Sequence, residues 1–348
     1  MVSYEALDEA LESISSAGPE LENGQTNHAP MAIEALCAMG RGDAVLPWLD
    51  RYRKGMTVWP GARGQISLET CDAALGRLDL VGDWRAFFDN ELQEAPRRDV
   101  VNRWTTRLMS GFSAAATHGV IRVGHAVRAL TISETQPRIR ELAAGLAYWA
   151  STYQILPSDL SATVSMLSPR EAILRVPIMP TEKRRFTGTI TSSLEALDEF
   201  AAFAPVIGIA DLSTDFSMAV SSLTETFALV YLANAPDVLS SIIFIHGVTS
   251  VAVIRQILPH VDEATAYSLL RHAWQSGCAL YAAFGVHPPS LSELESPRES
   301  YETLIDMAVA TGDEHAIKFT EACVRENSFR ASPVYRSAIR HAVGMLKR

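Results

Sequence analysis

Apolar residues recur every three or four positions along most of the chain, which is the spacing of amphipathic helices. This pattern predicts helices in the first part of the chain over about 4–15, 27–39, 43–54, 67–76, 81–93, 98–112, 116–130 and 134–153. It predicts further helices over about 191–203, 214–232, 237–257, 263–284, 299–310, 313–326 and 333–346. Alternating runs of β-branched residues are few, so the sequence predicts an all-α, multi-helix fold with few or no strands.

Two stretches rich in proline, 156–189 and 287–298, interrupt the helical pattern. Proline removes a backbone donor and ends helices, and Arg175-Val176 in the first stretch could form a short strand. The simplest interpretation is one large helical domain over residues 1–348. Two helical lobes that divide near 156–189 are the alternative.

Several polar residues and glycines have the positions of helix caps. Thr26 or Asn27 can begin the helix that ends at Gly40, because their side chains accept hydrogen bonds from free backbone N–H groups. Asp262 also precedes a helical run. The triplet His260-Val261-Asp262 is therefore better interpreted as a helix start than as part of an iron-binding facial triad.

The charge balance excludes some classes of partner. The chain has 30 basic and 40 acidic residues, a net charge of −10 and no basic cluster, which argues against nucleic acid and anionic membrane surfaces. The longest apolar stretch, around Ile242–Ile245, ends at His246 and is too short to span a bilayer. The first residues lack the pattern of a signal peptide. The composition leaves the oligomeric state open.

The four cysteines lie far apart and form no CxxC pair, so the sequence predicts neither a disulfide framework nor a cysteine zinc site. A cytoplasmic location is the expectation. No GxGxxG, P-loop or HExxH motif is present. We therefore expect no nucleotide or flavin cofactor, and any redox chemistry would fall to a metal.

The segment 313–318 contains the residues that are most informative about a possible metal site. His315 and Lys318 lie three residues apart in a predicted helix, so both lie on one face. One interpretation of Lys318 is a surface lysine. The other is a buried lysine near a cation, whose pKa is lowered. A neutral amine of this kind can add carbon dioxide to form a carbamate, which resembles a long carboxylate ligand.

Three more histidines lie in settings that suit a buried site. His28 begins an apolar helix, His118 has small neighbours and His246 lies in the most apolar run, where an imidazole needs a partner. A single helical histidine is more often a packing residue than a ligand. Together with His315 and Lys318, however, these residues suggest one metal site built from four helices.

Two further residues are candidates for catalysis on the helix that follows His118. His125 lies two turns after His118 on the same face, where it can act as an acid or base or simply pack. Arg122 can contact a phenolate or carboxylate of a substrate, and a surface ion pair is the alternative. No other residue is predicted to bind a cofactor.

The ordered set of motifs resembles the questin oxidase-like family, whose fungal members oxidise anthraquinones. The motifs are Asn27-His28, Leu46-Pro47-Trp48-Leu49-Asp50-Arg51-Tyr52, His118-Gly119-Val120-Ile121-Arg122-Val123-Gly124-His125-Ala126, His246-Gly247-Val248-Thr249-Ser250 and Asp313-Glu314-His315-Ala316-Ile317-Lys318.

The resemblance implies a largely helical fold and oxygen-dependent cleavage of a ring carbon–carbon bond, with a small aromatic molecule and dioxygen as substrates. Some members are described with iron held by four histidines and a carboxylated lysine. By motif position the ligands here would be His28, His118, His246, His315 and Lys318. The expected function is therefore a non-haem Fe(II) oxygenase of aromatic, polyketide-like molecules. A zinc-dependent hydrolase and a non-catalytic helical interaction protein are the alternatives.

Overall fold

The computed structural model describes residues 4–161, 164–186, 188–213, 215–290 and 297–347. Within these residues the regular secondary structure is helical apart from one two-stranded sheet, which confirms the predicted fold class. Its internal contacts divide the chain into two compact units, Met1–Gln154 with Pro259–Val261 and Ile155–Leu258 with Asp262–Arg348. The interpretation of residues 1–348 as a single domain stays a prediction.

The first unit consists of eight helices and the sheet, within the residues described. The helices are α1 (Glu5–Ser13), α2 (Ala29–Ala38), α3 (Val45–Tyr52), α4 (Cys71–Ala74), α5 (Val81–Glu94), α6 (Arg97–Leu108), α7 (His118–Ile132) and α8 (Gln136–Ser151). Strands β1 (Ala17–Leu21) and β2 (Met56–Val58) pair antiparallel, with Ala17 opposite Val58 and Leu21 opposite Met56. Helix α8 packs against α5 and α7, and α2 packs against α7.

The second unit is built around α12 in the described part of the chain. Its helices are α9 (Pro169–Ala172), α10 (Ile190–Leu194), α11 (Phe216–Asn234), α12 (Val238–Ala252), α13 (Ile254–Ile257), α14 (Glu263–Phe284), α15 (Tyr301–Thr311), α16 (Glu314–Phe329) and α17 (Pro333–Met345). Helix α12 packs against α11, α14 and α16. Its apolar composition fits this position, because residues 243–252 are buried among these helices.

Two segments of the chain, Phe216–Asn234 and Val238–His260, are long and apolar enough to cross a membrane by length and composition. Their most apolar windows are 67% and 78% buried inside the protein. Such burial is the ordinary state of core helices, so these segments are weak evidence for a membrane.

Several local predictions are wrong. Arg175 ends a 3-10 helix, Ile173–Arg175, instead of beginning a strand. The cause is a capping box at Ser168, which starts a short helix directly before this turn. The predicted helix over 67–76 shrinks to α4, and much of 191–203 is 3-10 helix. Strand β1 was missed because its Gly18 and Pro19 read as a turn.

The predicted helix ends at Gly40 and Asp262 are confirmed, whereas His28 takes the N-cap position of α2 that was predicted for Thr26 or Asn27. The Asn27 Oδ1 still accepts a hydrogen bond from the N–H of Ala29 at 3.1 Å, and Gly40 follows the helix with a φ of +73°. The Asp262 carboxylate accepts from the N–H of Thr265 at 2.8 Å and begins α14. Part of the predicted irregular stretch 287–298, residues 291–296, lies outside the described residues.

Candidate metal centre

His28 and His118 form a buried pair in the first unit. Their ring centroids lie 4.5 Å apart with an interplanar angle of 43°. The two residues are 5% and 6% exposed. His28 directly precedes α2 and His118 is the first residue of α7, so the packing of α2 against α7 brings the pair together.

Asn27 anchors the segment that carries His28. Its Nδ2 donates to the carbonyl of Gly18 at 3.0 Å, while its Oδ1 accepts from Ala29. The backbone N–H of His28 donates to the Tyr52 hydroxyl at 2.9 Å. The Asn-His pair therefore has a physical basis, since the amide of Asn27 ties the start of α2 to β1.

The His118 ring is oriented by its own backbone. Its Nδ1 lies 2.5 Å from the carbonyl oxygen of Ala115. A carbonyl only accepts hydrogen bonds, so Nδ1 carries the proton and Nε2 keeps its lone pair. Metal-binding histidines usually hold their second ring nitrogen in this way.

His246 and His315 form a second buried pair, in the second unit. Their ring centroids lie 5.8 Å apart with an interplanar angle of 68°. The His246 Nδ1 lies 2.7 Å from the carbonyl of Ile242, which selects the same tautomer as in His118. Burial, together with His315 and Lys318, lowers the pKa of His246 to about 3, so its imidazole is neutral at pH 7.

Lys318 belongs to the same cluster and is buried, with 2% of its surface exposed. The interpretation as a surface lysine is therefore wrong. Burial lowers the pKa of Lys318 to about 8, against the opposite influence of Glu314 and Asp313. A fraction of its amine is therefore neutral near physiological pH.

Asp313 and Glu314 add acidic groups around His315. Asp313 caps α16 by accepting from the N–H of His315 at 2.8 Å, and its carboxylate lies 3.4 Å from the ring Nδ1. The Glu314 carboxylate lies 3.9 Å from the same nitrogen. The sequence analysis did not propose Glu314 as a ligand. Its position next to His315 was the only available signal.

Arg122 and His125 lie on α7 and are both buried. The Arg122 guanidinium makes a two-point ion pair with Glu141, at 2.6 and 2.8 Å. The pair is largely shielded from water, with 4% and 12% of the two side chains exposed. The Arg122 charge is therefore already balanced within the protein, and its contact with a substrate stays a prediction.

The His125 Nδ1 lies 2.6 Å from a carboxylate oxygen of Glu34, a buried residue of α2. Arg128 pairs with the same carboxylate, and the Tyr4 hydroxyl donates to it at 2.6 Å. Burial acts to raise the pKa of Glu34, but Arg128 and His125 outweigh it and hold the pKa well below its usual range. Glu34 was missed because a single glutamate in an apolar helix gives no local signal.

The fold and these clusters define an all-α protein with two buried pairs of histidine rings, of which the His246 ring is neutral at pH 7. The chain belongs to the questin oxidase-like family, whose model matches residues 26–323. A comparison with curated proteins found no match. The matched range contains all five residues predicted as metal ligands. The family name implies an oxidase or oxygenase that acts with oxygen on polyketide-type small molecules.

Proposed function

We propose that this protein is a metal-dependent oxygenase that oxidises or cleaves a ring of an aromatic, polyketide-like molecule. The observation that carries the proposal is that the four predicted histidines fall into two buried ring pairs. In each pair, one ring has its Nδ1 on a backbone carbonyl, which makes Nε2 the ring nitrogen that carries the lone pair a metal requires.

The proposed ligands of one Fe(II) ion are His28, His118, His246, His315 and Lys318, with Zn(II) as the alternative metal. Two imidazoles that bind one ion at about 2 Å have ring centroids on the order of 4–6 Å apart. The separations of 4.5 and 5.8 Å within the two pairs fit this range. Neutral imidazoles with one carboxylate-like group also suit a divalent first-row metal.

Lys318 is proposed to bind as its carbamate. The support is its burial and a pKa lowered to about 8, because only the neutral amine reacts with carbon dioxide. The carbamate has no positive charge, which removes the repulsion that a lysine would have with a metal ion. Glu314 is the alternative carboxylate, since it lies beside His315.

A bound iron would supply oxygen activation and a Lewis acid for a phenolic oxygen. His125 is proposed to accept a proton at its Nε2 and to return it, because the Glu34 carboxylate accepts the Nδ1 proton and so leaves the lone pair on Nε2. Arg122 is proposed to orient an anionic substrate group. The buried setting of both residues would exclude bulk water from the reaction.

Elemental analysis of freshly purified protein tests the metal and its stoichiometry. We expect about one iron per chain, and zinc at that level would favour a hydrolase. His28→Ala, His118→Ala, His246→Ala and His315→Ala should each lose most of the bound metal while keeping their helical content. The control is His287→Ala, at an exposed histidine. Full metal retention in all four variants would refute the ligand set.

Isotopic labelling tests the reaction. Iron-loaded protein is incubated anaerobically with anthrone or anthraquinone candidates, and labelled dioxygen is then admitted. We expect product only after oxygen enters, with label in the product. A product that forms without oxygen, or that carries oxygen from water alone, would place the protein among hydrolases.

A further inference from the structure

The three residues before His118 form a left-handed turn. Ala115, Ala116 and Thr117 have φ angles of 46°, 54° and 73°, and they are the only non-glycine residues with positive φ in the described ranges. Left-handed backbone is unfavourable for L-residues, because the Cβ crowds the following carbonyl oxygen. For a β-branched residue such as Thr117 it is a marked outlier. Such strain concentrates at functional sites.

The surrounding structure holds this turn in place. The indole Nε1 of Trp149 donates to the carbonyl of Gly111 at 3.0 Å, just before the turn. Just after it, Gly119 packs so closely that a Cβ would lie 2.7 Å from the Cα of Trp149. The N–H of Thr117 donates to the Ser113 carbonyl, and the Thr117 carbonyl accepts from Ile121. The backbone of Thr117 is therefore fully bonded.

The Thr117 hydroxyl is different. Threonine is common at the N-cap because its oxygen accepts from the first turn of the helix. Thr117 occupies the N-cap of α7 but makes no such bond. Its side chain is buried, and among the described residues its Oγ1 has no hydrogen-bond partner. A buried hydroxyl without a hydrogen-bond partner destabilises the folded protein, because it has lost its hydrogen bonds to water.

Fold stability does not explain a threonine here. Glycine would suit the positive φ angle, and valine would suit the buried position without an unsatisfied hydroxyl. Threonine is unfavourable on both grounds within the protein alone. It is favourable if its hydroxyl bonds a molecule that the protein binds.

We propose that Thr117 is a binding residue whose hydroxyl forms a hydrogen bond with an oxygen atom of a small molecule held beside His118. The inference rests on the proposed function, which makes His118 a metal ligand. The oxygen belongs either to a water of the resting protein or to a phenolic group of the aromatic substrate. Both offer the same hydrogen-bonding chemistry.

Crystal structures of the full chain test this directly, without and with 1,8-dihydroxyanthraquinone. We expect a non-protein oxygen within about 3.2 Å of Thr117 Oγ1. A water that remains when the probe is bound identifies water as the partner, and its replacement by a phenolic oxygen identifies the substrate. Only carbon atoms around Oγ1, or a bond from Oγ1 to a protein carbonyl, would overturn the proposal.

Metal in the same crystals tests the proposed function separately. If His118 binds no metal but an oxygen atom lies on Thr117 Oγ1, the metal assignment fails and the role of Thr117 stands. If His118 binds metal and no such oxygen atom lies on Thr117 Oγ1, the role of Thr117 fails and the metal assignment stands. The two proposals therefore fail by different observations.

Two substitutions separate the hydroxyl from the shape of the side chain. Thr117→Val should leave the melting temperature of the metal-free protein unchanged or higher, yet weaken probe binding about 5- to 10-fold. Thr117→Ser keeps the hydroxyl and should stay within about twofold of the wild type. The control is Thr224→Val, whose buried hydroxyl already donates to the Val220 carbonyl. A lower melting temperature with unchanged binding in Thr117→Val would make the hydroxyl purely structural.

Discussion

Burial gives the Lys318 amine a reactivity near neutral pH that an exposed lysine does not have. The lysine carries the same groups in either setting, but removal from water penalises its charged form. This lowers the pKa of Lys318 to about 8. The chemical role of this residue is therefore decided by the packing of α16, and the proposed carbamate depends on it.

Substitution of Lys318 tests that role. Lys318→Arg should weaken metal binding by more than about 10-fold, because a guanidinium stays protonated and cannot form a carbamate. Lys318→Glu should retain part of the binding through a shorter carboxylate. Metal content and the carbon-13 signal of a carbamate, after equilibration with labelled bicarbonate, provide the measurements. Lys183→Arg, at an exposed lysine, is the control. A normal metal content in Lys318→Arg would contradict the assignment.

The Glu34 cluster gives a second test with single residues. Glu34→Gln removes the charge that balances buried Arg128, so it should lower the free energy of unfolding by about 3–5 kcal/mol. Glu199→Gln breaks the exposed ion pair with Arg185, at 2.8 Å, and should cost about 1 kcal/mol or less. Urea unfolding measures both variants. Equal losses would mean that the Glu34 network contributes no more than a surface pair.

At the scale of helices, close packing between α7 and α8 depends on glycine residues, which have no side chain. Gly119 lies against Trp149, and a Cβ there would lie 2.7 Å from a backbone atom that cannot move easily. Gly145 makes a looser approach from the other helix, at 3.3 Å from Val123. These glycines allow α8 to support the turn that presents His118.

Alanine at position 119 should therefore separate α7 from α8. Gly119→Ala should destabilise the protein by about 1–3 kcal/mol through overpacking. Gly247→Ala in α12 is the matched control, because a Cβ there would make ordinary contacts, the nearest at 3.7 Å. It should be neutral or slightly stabilising, since alanine favours helix by about 1 kcal/mol over glycine. Thermal unfolding of the metal-free proteins compares them. Equal melting temperatures would show that α8 adjusts freely.

At the scale of the whole molecule, buried neutral histidines make the metal-free protein sensitive to acid. Burial, with a smaller contribution from Arg271, lowers the pKa of His272 from 6.5 to about 4. Between these values the unfolded chain binds the proton and the folded protein does not. His272 therefore causes no loss in the free energy of unfolding above about pH 6.5, and the loss grows as the pH falls toward 4.

His272→Gln should reduce this loss. The wild type should lose on the order of 1–2 kcal/mol more than the variant between pH 7.5 and pH 5. The measurement is urea unfolding of the metal-free proteins at the two pH values. His287→Gln serves as the control at an exposed position. An unchanged pH dependence in His272→Gln would show that other groups dominate the acid response.

The sequence by itself determined the features that have local causes. Apolar spacing located nearly all the long helices, and Asn27, Gly40 and Asp262 marked helix ends, because caps and periodicity act within a few residues. Short motifs were also enough to identify the family. The ligand set, the metal and the cytoplasmic location were deduced at the same level and stay predictions.

Only the tertiary structure decided which side chains meet. The pairing of His28 with His118 requires α2 to pack on α7, and the burial of Lys318 requires the helices around α16. The Glu34 cluster and the left-handed turn before His118 also had no signature in the sequence. The reason is physical, because long-range packing sets the surroundings of a side chain and can hold a backbone in a conformation that its residues do not favour locally.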